Sequence, residues 1–238
     1  KKQNEQIKDM INEGIDVLFL QPVDRNKVRP ALELCKKKHI PVVVIDSEVS
    51  DTEAVVSTIV SDNYDAGVQC AKDMMKKKTN IIIVNQKALN SINERVKGFR
   101  DTIKGHPQYK IVEEKESAAE FEIAMKVMEE IIYEKKNYDV VMGGNDPIAL
   151  GCIAAMQMTD KTDQVMVYGV DGSPDGKAMI KAGFLEGTAA QSPIKIGEKA
   201  VQTAYSYLAG ETVKKHVTIP VELITADNLK LYDMTGWQ

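Results

Sequence analysis

The stretch Val140-Val-Met-Gly-Gly-Asn-Asp-Pro-Ile-Ala-Leu-Gly151 contains the unit from which this chain is built. It begins as an apolar run, passes through the polar pair Asn145-Asp146, and continues with apolar residues at helical spacing. Asp146 stands immediately before Pro147, an order that is typical of a capping residue followed by a proline in the first turn of a helix. The stretch therefore predicts a strand that leads directly into a helix.

The same order of elements recurs along the whole chain. Short runs rich in Val and Ile, without polar alternation, are typical of strands buried on both faces of a parallel sheet. These runs are Val17–Leu20, Val42–Asp46, Ile81–Asn85, Val140–Met142, Val165–Val170 and the weaker Thr188–Gln191. Helical patterns follow at Asn26–Lys38, Tyr64–Lys77, Ser91–Lys104, Glu120–Lys136, Pro147–Met158 and Ile194–Leu208. Alternation of this kind predicts right-handed crossovers and an α/β fold with Rossmann-like parallel sheets.

The composition argues against several classes of protein. Hydrophobic residues are 43% and charged residues 28%, as in ordinary globular domains, and the net charge of -4 suggests neither nucleic acid nor an anionic membrane as a partner. Cys35, Cys70 and Cys152 are odd in number, far apart and each inside a predicted helix, so we expect buried free thiols. The sequence shows no base–nucleophile pair, phosphate loop or metal-ligand cluster, and we expect no enzyme, cofactor or metal site.

Polar residues stand where the apolar runs end. Open α/β sheets bind ligands beyond the carboxyl ends of their strands, so these positions are the candidate binding residues. They read Asp46-Ser47, Asn145-Asp146, Asp171-Gly172 and Gln191-Ser192, and the loop after Asn85 leads to Asn90, Ser91 and Arg95. Carboxylates accept hydrogen bonds, guanidinium donates them, and amides do both. This set suits a ligand rich in hydroxyl groups, because each buried hydroxyl left unpaired costs about 1–3 kcal/mol.

Some of these residues have an alternative role as caps or turn residues. We predict that Asp146 is a helix cap. Asn145 precedes that cap at the end of its strand and can point into a cleft, and Asp171 between Val170 and Gly172 is similar. Asn145 and Asp171 are therefore predicted to contact a ligand.

Six strings of residues, in order and at suitable separations, resemble the ribose/galactose-type periplasmic sugar-binding proteins, the solute receptors of ABC transporters. The resemblance spans essentially the whole chain. The strings are Pro41-Val-Val-Val-Ile-Asp-Ser47, Ser61-Asp-Asn-Tyr-Asp-Ala-Gly67, Arg95-Val-Lys-Gly-Phe99, Asn145-Asp-Pro-Ile-Ala-Leu-Gly151, Gly169-Val-Asp-Gly-Ser-Pro-Asp-Gly176 and Ala190-Gln-Ser-Pro-Ile-Lys-Ile-Gly197.

The resemblance implies which residues line the sugar site. These are Asp46, Arg95, Asn145, Asp171 and Gln191. Phe121 matches an aromatic that stacks on the sugar ring in this family, and the alternative for Phe121 is an ordinary core residue. Ser91 lies one helical turn before Arg95. At the position of Ser91, galactose-type members carry a ligand-binding carboxylate.

The sequence also departs from the family. Ribose-type members have Arg where this chain has Ser47, so a strong donor is missing and the ribose pattern fails at this position. The chain opens inside a predicted helix, from Lys1 to Glu13, and the family's first strand, first helix and second strand have no counterpart before Lys1. A lobe without that central strand would expose the edges of its neighbours.

Two Rossmann-like lobes joined by a hinge are expected, with the ligand cleft between them. The first lobe, incomplete, comprises residues 1–62 and 191–220, and the second comprises residues 63–190 and 221–238. A ligand favours closure of such lobes through the contacts that it makes only in the closed state.

The resemblance implies an extracytoplasmic receptor, periplasmic or lipid-anchored at the cell surface, that delivers a monosaccharide or small polyol to an ABC transporter permease. A sensor protein is the other partner that the family implies, and we expect a monomer. Two alternatives stay open at this point. One is the effector domain of a lactose-repressor-type transcription regulator, and the other is the sugar-sensing ectodomain of a histidine kinase.

Overall fold

The computed structural model describes residues 1–76, 79–159 and 165–238, in which strands alternate with helices. The strands are β1 (Leu18–Leu20), β2 (Val42–Ile45), β3 (Val55–Ser61), β4 (Thr79–Asn85), β5 (Tyr109–Glu116), β6 (Val140–Gly143), β7 (Met166–Asp171), β8 (Gly187–Ala190), β9 (His216–Ile219) and β10 (Glu222–Thr225). The helices are α1 (Lys2–Glu13), α2 (Arg29–Lys37), α3 (Asn63–Met74), α4 (Asn90–Ile103), α5 (Phe121–Tyr133), α6 (Asp146–Gln157), α7 (Pro174–Lys181) and α8 (Pro193–Leu208), and a 3-10 turn covers Leu229–Leu231. The predicted α/β class is confirmed.

The chain forms two compact units, each with its own sheet. The first unit comprises Lys1–Ser61, Ala88–Ser91 and Ser192–Pro220, and the second comprises Asp62–Lys87, Ile92–Gln191 and Val221–Gln238. The strand order is β1-β2-β3-β9 in the first unit and β10-β8-β7-β6-β4-β5 in the second. The strand pairs are parallel except for β10, which runs antiparallel to β8.

The sheet of the first unit is covered by helices on both faces. Val42 and Val44 of β2 belong to a buried cluster with residues of α1 and α2, whereas Val43 between them packs with residues of α8. Successive strand residues point to opposite faces, so a strand covered on both faces needs an uninterrupted apolar run. The sequence has that run.

The second unit follows the same rule at its centre and departs from it at its edge. Ile81, Ile82, Ile83 and Val84 of β4 are fully buried. The edge strand β5 contains Lys and Glu, and none of its residues is fully buried. Charged side chains on an edge strand discourage pairing with other chains.

Four strands were not predicted from the sequence. The runs of Val and Ile led to six strands, and β3, β5, β9 and β10 are additional. β3 was missed because Ser57 and Thr58 interrupt its apolar residues, although all its residues are buried. The predicted helix over 64–77 corresponds to α3, and its expected last residue, Lys77, lies outside the described residues.

The cysteine prediction is confirmed. Cys35 in α2, Cys70 in α3 and Cys152 in α6 are free and buried. None of the helices in the described part of the chain is both long enough and apolar enough to span a membrane.

Candidate functional site

Four predicted ligand residues lie at one edge of the second unit's sheet. Arg95 is in the second turn of α4, which follows β4, while Asn145 follows β6, Asp171 ends β7, and Gln191 follows β8. Strands β4, β6, β7 and β8 are parallel neighbours. Their carboxyl ends therefore meet at the same edge, which is where open α/β sheets bind ligands.

Arg95 is the most enclosed of the four, with 3% of its side chain exposed. Its Nε donates to Oδ1 of Asn63 at 2.9 Å, and its Nη1 donates to the carbonyl oxygen of Gly144 at 2.9 Å. The same Nη1 lies 3.6 Å from Oδ1 of Asp171. These contacts fix the plane of the guanidinium, on which its directional recognition of oxygen atoms depends.

Two glycines allow α4 to bring Arg95 this close. A Cβ at Gly67 in α3 would lie 1.8 Å from the carbonyl oxygen of Arg95, and a Cβ at Gly98 in α4 would lie 2.0 Å from the carbonyl oxygen of Tyr64. Both distances are far below van der Waals contact, so any side chain at either glycine would push the two helices apart. The close packing of α3 and α4 therefore fixes the position of Arg95 relative to Asn63.

Asp171 accepts hydrogen bonds at the end of β7. Gln191 Nε2 donates to its Oδ1 at 2.7 Å, and the Gln191 backbone N–H donates to its carbonyl oxygen at 3.0 Å. Its backbone φ of 148° is one that residues with side chains rarely adopt. Strain of this kind persists only where the surroundings enforce it, and it concentrates at functional sites.

Gln191 holds an amide oxygen without a partner. The residue is 8% exposed, its Nε2 is used by Asp171, and its Oε1 is buried and accepts no hydrogen bond from the described chain. A buried acceptor without a donor costs about 1–3 kcal/mol. The other atom of the same amide, Nε2, is bonded to Asp171 Oδ1, which lies 3.6 Å from Arg95 Nη1.

The prediction that Asp146 caps α6 is wrong. Asn145 is the cap, because its Oδ1 accepts a hydrogen bond from the Ile148 N–H at 3.0 Å and its backbone is extended, as an N-cap requires. Asn145 is half-buried, and its amide nitrogen carries two further N–H donors. Capping uses the oxygen, so the predicted ligand contact would use the nitrogen.

Asp146 has a different role, which the sequence analysis missed. It is fully buried, and its carboxylate accepts hydrogen bonds from Ser173 N at 2.9 Å, Ser173 Oγ at 2.6 Å and Thr188 Oγ1 at 2.6 Å. Burial raises the pKa of Asp146, while the hydrogen bonds from Ser173 and Thr188 and the charge of Arg95 oppose that increase. Nothing in the spacing of these residues indicates the cluster, because Thr188 is distant along the chain.

Phe121 is the first residue of α5, which follows β5 and so begins at the same edge. The residue is 38% exposed. The alternative of an ordinary core Phe is therefore wrong, and the predicted stacking on a sugar ring stays a prediction.

The predicted residues Asp46, Ser47 and Ser91 belong to the first unit. Asp46 follows β2 in a three-residue turn, in which the Ser47 N–H donates to the Ile45 carbonyl oxygen at 2.7 Å. The φ of Asp46 is 66°, in the left-handed region, and its Oδ2 accepts from Gln21 Nε2 at 2.9 Å. Asp46 and Asp171 are thus both carboxylates at strand ends with positive φ.

Ser47 is already bonded within its own unit. It is 1% exposed, and its Oγ accepts from the Ser91 N–H at 3.2 Å. Ser91 is also buried and lies one turn before Arg95 in α4. Contact of either residue with a ligand stays a prediction.

The chemistry that this arrangement supports is hydrogen bonding. No group of His, Cys, Asp or Glu side chains in the described ranges is placed to hold a metal ion. At the edge of the second unit's sheet, one guanidinium, one carboxylate and two amides present donors and acceptors side by side.

A model of the periplasmic binding protein domain matches residues 1–212, and the chain belongs to that family. The family consists of solute-binding proteins, which are not enzymes. The ribose import binding protein RbsB of Escherichia coli (strain K12) is 30% identical over 228 residues, covering 94% of this chain and 76% of RbsB. The D-apiose import binding protein of Paraburkholderia graminis is 30% identical over 239 residues, covering 98% and 76%.

Solved structures agree with these relatives. An ABC transporter solute binding protein from Agrobacterium vitis with bound D-fucose has a TM-score of 0.88 and 28% identity, covering 96% of this chain and 81% of that chain. The resemblance to ribose/galactose-type sugar-binding proteins is therefore confirmed. The comparisons support a sugar receptor and do not support the repressor-type effector domain or the kinase ectodomain.

Proposed function

We propose that this chain binds a monosaccharide or small polyol outside the cytoplasm and delivers it to an ABC transporter permease. One observation carries the proposal for the ligand class. Gln191 Oε1 is buried and accepts no hydrogen bond from the described residues, while Gln191 Nε2 donates to Asp171 Oδ1, which lies 3.6 Å from Arg95 Nη1. A ligand that satisfies such a group must bring a donor to Gln191 and also offer acceptors and donors to its neighbours.

A sugar hydroxyl meets that requirement, because it donates one hydrogen bond and accepts up to two. Adjacent hydroxyls on one ring can serve Gln191 Oε1, Asp171 and the amide nitrogen of Asn145 together. Phe121, an exposed residue at the same sheet edge, offers a flat apolar face to the C–H groups of a sugar. These residues are the ligand contacts that we propose for the second unit.

The first unit also has a polar residue, Asp46, at the carboxyl edge of its own sheet. Asp46 follows β2 and keeps a strained backbone, as Asp171 does after β7. Backbone strain of this kind at a strand end costs stability, and it is typical of residues that are kept for a function. We propose Asp46, with Ser47 and Ser91, as further ligand residues.

The relatives support the transport assignment. RbsB and the D-apiose protein are named as import binding proteins, and the Agrobacterium vitis protein is a solute binding protein of an ABC transporter. An extracytoplasmic place, a permease partner and a monomeric state follow for this chain as parts of the same proposal.

Titration calorimetry tests the ligand class. The purified chain, unfolded and refolded to release any carried ligand, would be titrated with D-ribose, D-apiose, D-fucose and myo-inositol. Binding of at least one is expected, whereas binding of none, by a protein whose melt shows that it has refolded, would contradict the proposal.

A matched pair of variants locates the site. Asp171→Asn keeps the shape of the side chain and removes the charge that faces Arg95, so it should weaken binding at least about tenfold. Asp175→Asn makes the same change four positions further on, at an exposed residue in the first turn of α7. The Asp175 variant should bind as the wild type does.

A further inference from the structure

The carboxylate of Asp146 joins three separate elements of the second unit. It lies in the first turn of α6, it accepts two hydrogen bonds from Ser173 at the start of α7, and it accepts one from Thr188 in β8. Asp146 is 0% exposed, so it is closed off from any ligand that occupies the sheet edge. Its role must therefore be exerted through its neighbours.

Thr188 passes the contact on to the loop that follows Asp171. The Thr188 hydroxyl donates to Asp146 Oδ1 at 2.6 Å and accepts from the Gly172 backbone N–H at 3.0 Å. The Asp146 backbone N–H, in addition, points to Asp171 Oδ2 at 3.4 Å, a long contact. Residues 171–173 are thus held from both sides by Asp146, directly at Ser173 and through Thr188 at Gly172.

Two glycines leave room for the carboxylate. A Cβ at Gly169 would lie 2.4 Å from Asp146 Oδ1, and a Cβ at Gly176 would lie 2.4 Å from Asp146 Oδ2. Neither glycine has a positive φ, so the space around the carboxylate, and not the backbone conformation, requires them. The sequence around β7 and α7 is therefore adapted to a buried carboxylate at this point.

A buried carboxylate is costly to fold unless donors surround it. All three side-chain contacts of Asp146 come from donors, which is the arrangement that an ionised carboxylate needs. An apolar residue of similar volume would fill the same space without that cost. The carboxylate is better explained by the segment that it holds, because Asp171 has a strained φ of 148° and the next residue, Gly172, turns the chain with a φ of 70°.

We propose that Asp146 and Thr188 are positioning residues, which hold Asp171 in the geometry that binds the ligand. The proposal rests on the proposed function, in which Asp171 is a ligand contact. Loss of the link should lower ligand affinity even where the protein stays folded.

Thr188 offers the sharper test, since one hydroxyl can be removed without changing the size of the side chain. Thr188→Val should weaken binding of the tightest-binding panel sugar (D-ribose, D-apiose, D-fucose or myo-inositol) by about tenfold. Thr188→Ser keeps the hydroxyl and should bind within about threefold of the wild type, although loss of a buried methyl lowers its melting temperature. Asp146→Asn loses one acceptor and should weaken binding as Thr188→Val does.

Thr79→Val is the matched control. Thr79 is a buried threonine that begins β4, at the amino edge of the same sheet, and its hydroxyl donates to the Met74 sulfur. It should bind the sugar with unchanged affinity. If Thr188 had a purely structural role, Thr188→Val would melt at a lower temperature but would bind the sugar with wild-type affinity at temperatures where it is folded. That result would overturn the proposal.

Amide hydrogen exchange of the unliganded protein gives a readout that needs no sugar. In Thr188→Val the Gly172 N–H loses its acceptor, so its exchange should accelerate at least about tenfold relative to the wild type, and in Thr188→Ser it should not. Unchanged exchange at Gly172 would refute the positioning role, whatever the ligand. Failure of the wild type to bind any panel sugar, with exchange altered as expected, would instead count against the proposed function alone.

Discussion

Arg95 and Asp171 form a buried ion pair at the carboxyl edge of the second unit's sheet, with Nη1 of the arginine 3.6 Å from Oδ1 of the aspartate and side-chain exposures of 3% and 15%. Each partner has further bonds, Arg95 to Asn63 and Gly144 and Asp171 to Gln191. The pair is therefore the centre of a network in which one residue orients the next. Both charges are largely removed from water, so neither tolerates the loss of its partner easily.

Removing either charge should reduce stability and affinity together. Arg95→Met should lower the free energy of unfolding by about 3 kcal/mol, because it leaves Asp171 and the Gly144 carbonyl oxygen without their buried partner. Asp171→Asn should have a smaller effect, since an amide oxygen still accepts from Gln191. Urea unfolding measures the stabilities, and calorimetry measures the affinity for the sugar that the wild type binds most tightly.

The double variant shows whether the two residues act on each other. If the pair interacts as the geometry indicates, the loss of unfolding free energy in the double variant should differ from the sum of the losses in Arg95→Met and Asp171→Asn. The expected difference is about 0.5–3 kcal/mol. Strict additivity would mean that the 3.6 Å contact contributes nothing, and that each residue acts through its other bonds.

The close packing of α3 and α4 can be tested at its two glycines. Gly67→Ala should destabilise the protein by about 1–3 kcal/mol, because its methyl group would overlap the Arg95 carbonyl oxygen. The helices must then separate and move Arg95, so the affinity for the sugar should fall as well. Gly98→Ala should behave in the same way through its contact with Tyr64.

Gly197→Ala is the control for these glycine variants. Gly197 is an exposed glycine inside α8, and a Cβ there would meet no atom within 4 Å. The same substitution should therefore raise stability by about 0.5–1 kcal/mol, because alanine loses less backbone entropy on folding. A destabilisation at Gly197 equal to that at Gly67 would show that close packing is not the cause.

The fold was predictable where burial requires an unmixed apolar run. The central residues of β2, β4 and β6 are buried whichever face they point to, so they must be apolar or small, and that run is visible without a structure. β3 is buried as completely, yet Ser57 satisfies its hydroxyl by donating to the Lys214 carbonyl oxygen, a partner that is 157 residues away. No local pattern reveals such a bond.

The sequence predicted where the residues of the candidate site lie, but not which structural role each of them has. Strand ends indicated Asn145, Asp146 and Asp171, because the carboxyl edge of a parallel sheet is where ligands bind. The sequence did not show that Asn145 caps the helix while Asp146 is buried, since both residue types cap helices well. Only the backbone direction at the end of β6 decides which side chain faces the helix.

Asn145 combines capping with the predicted ligand contact, and two substitutions separate them. Asn145→Ala removes the cap and should cost about 1 kcal/mol of stability, together with at least about tenfold in affinity. Asn145→Ser keeps an oxygen that can accept from the Ile148 N–H, so its melting temperature should stay near that of the wild type. The serine variant should still bind weakly, because it lacks the amide nitrogen, and wild-type affinity in this variant would remove Asn145 from the ligand contacts.

The titration of Asp146 should appear in the pH dependence of stability. Burial raises the pKa of Asp146 in the folded protein, whereas the unfolded chain has the ordinary value of about 3.9. The folded state therefore holds a proton at pH values where the unfolded state has lost it, and this group favours folding most below the unfolded pKa. The contribution of Asp146 to the free energy of unfolding then declines as the pH rises through the folded pKa. The total decline is about 1.4 kcal/mol for each pH unit by which the folded pKa exceeds the unfolded pKa.

Asp146→Asn removes this titration and supplies the reference. The free energy of unfolding of the wild type minus that of the variant, from urea unfolding between about pH 4 and pH 8, should decrease with rising pH and then level off. Cys70, whose thiol pKa burial raises to about 12, stays neutral throughout this range and therefore does not titrate with Asp146. A difference that increases with pH would mean that the hydrogen bonds from Ser173 and Thr188, with the charge of Arg95, outweigh burial and lower the pKa of Asp146.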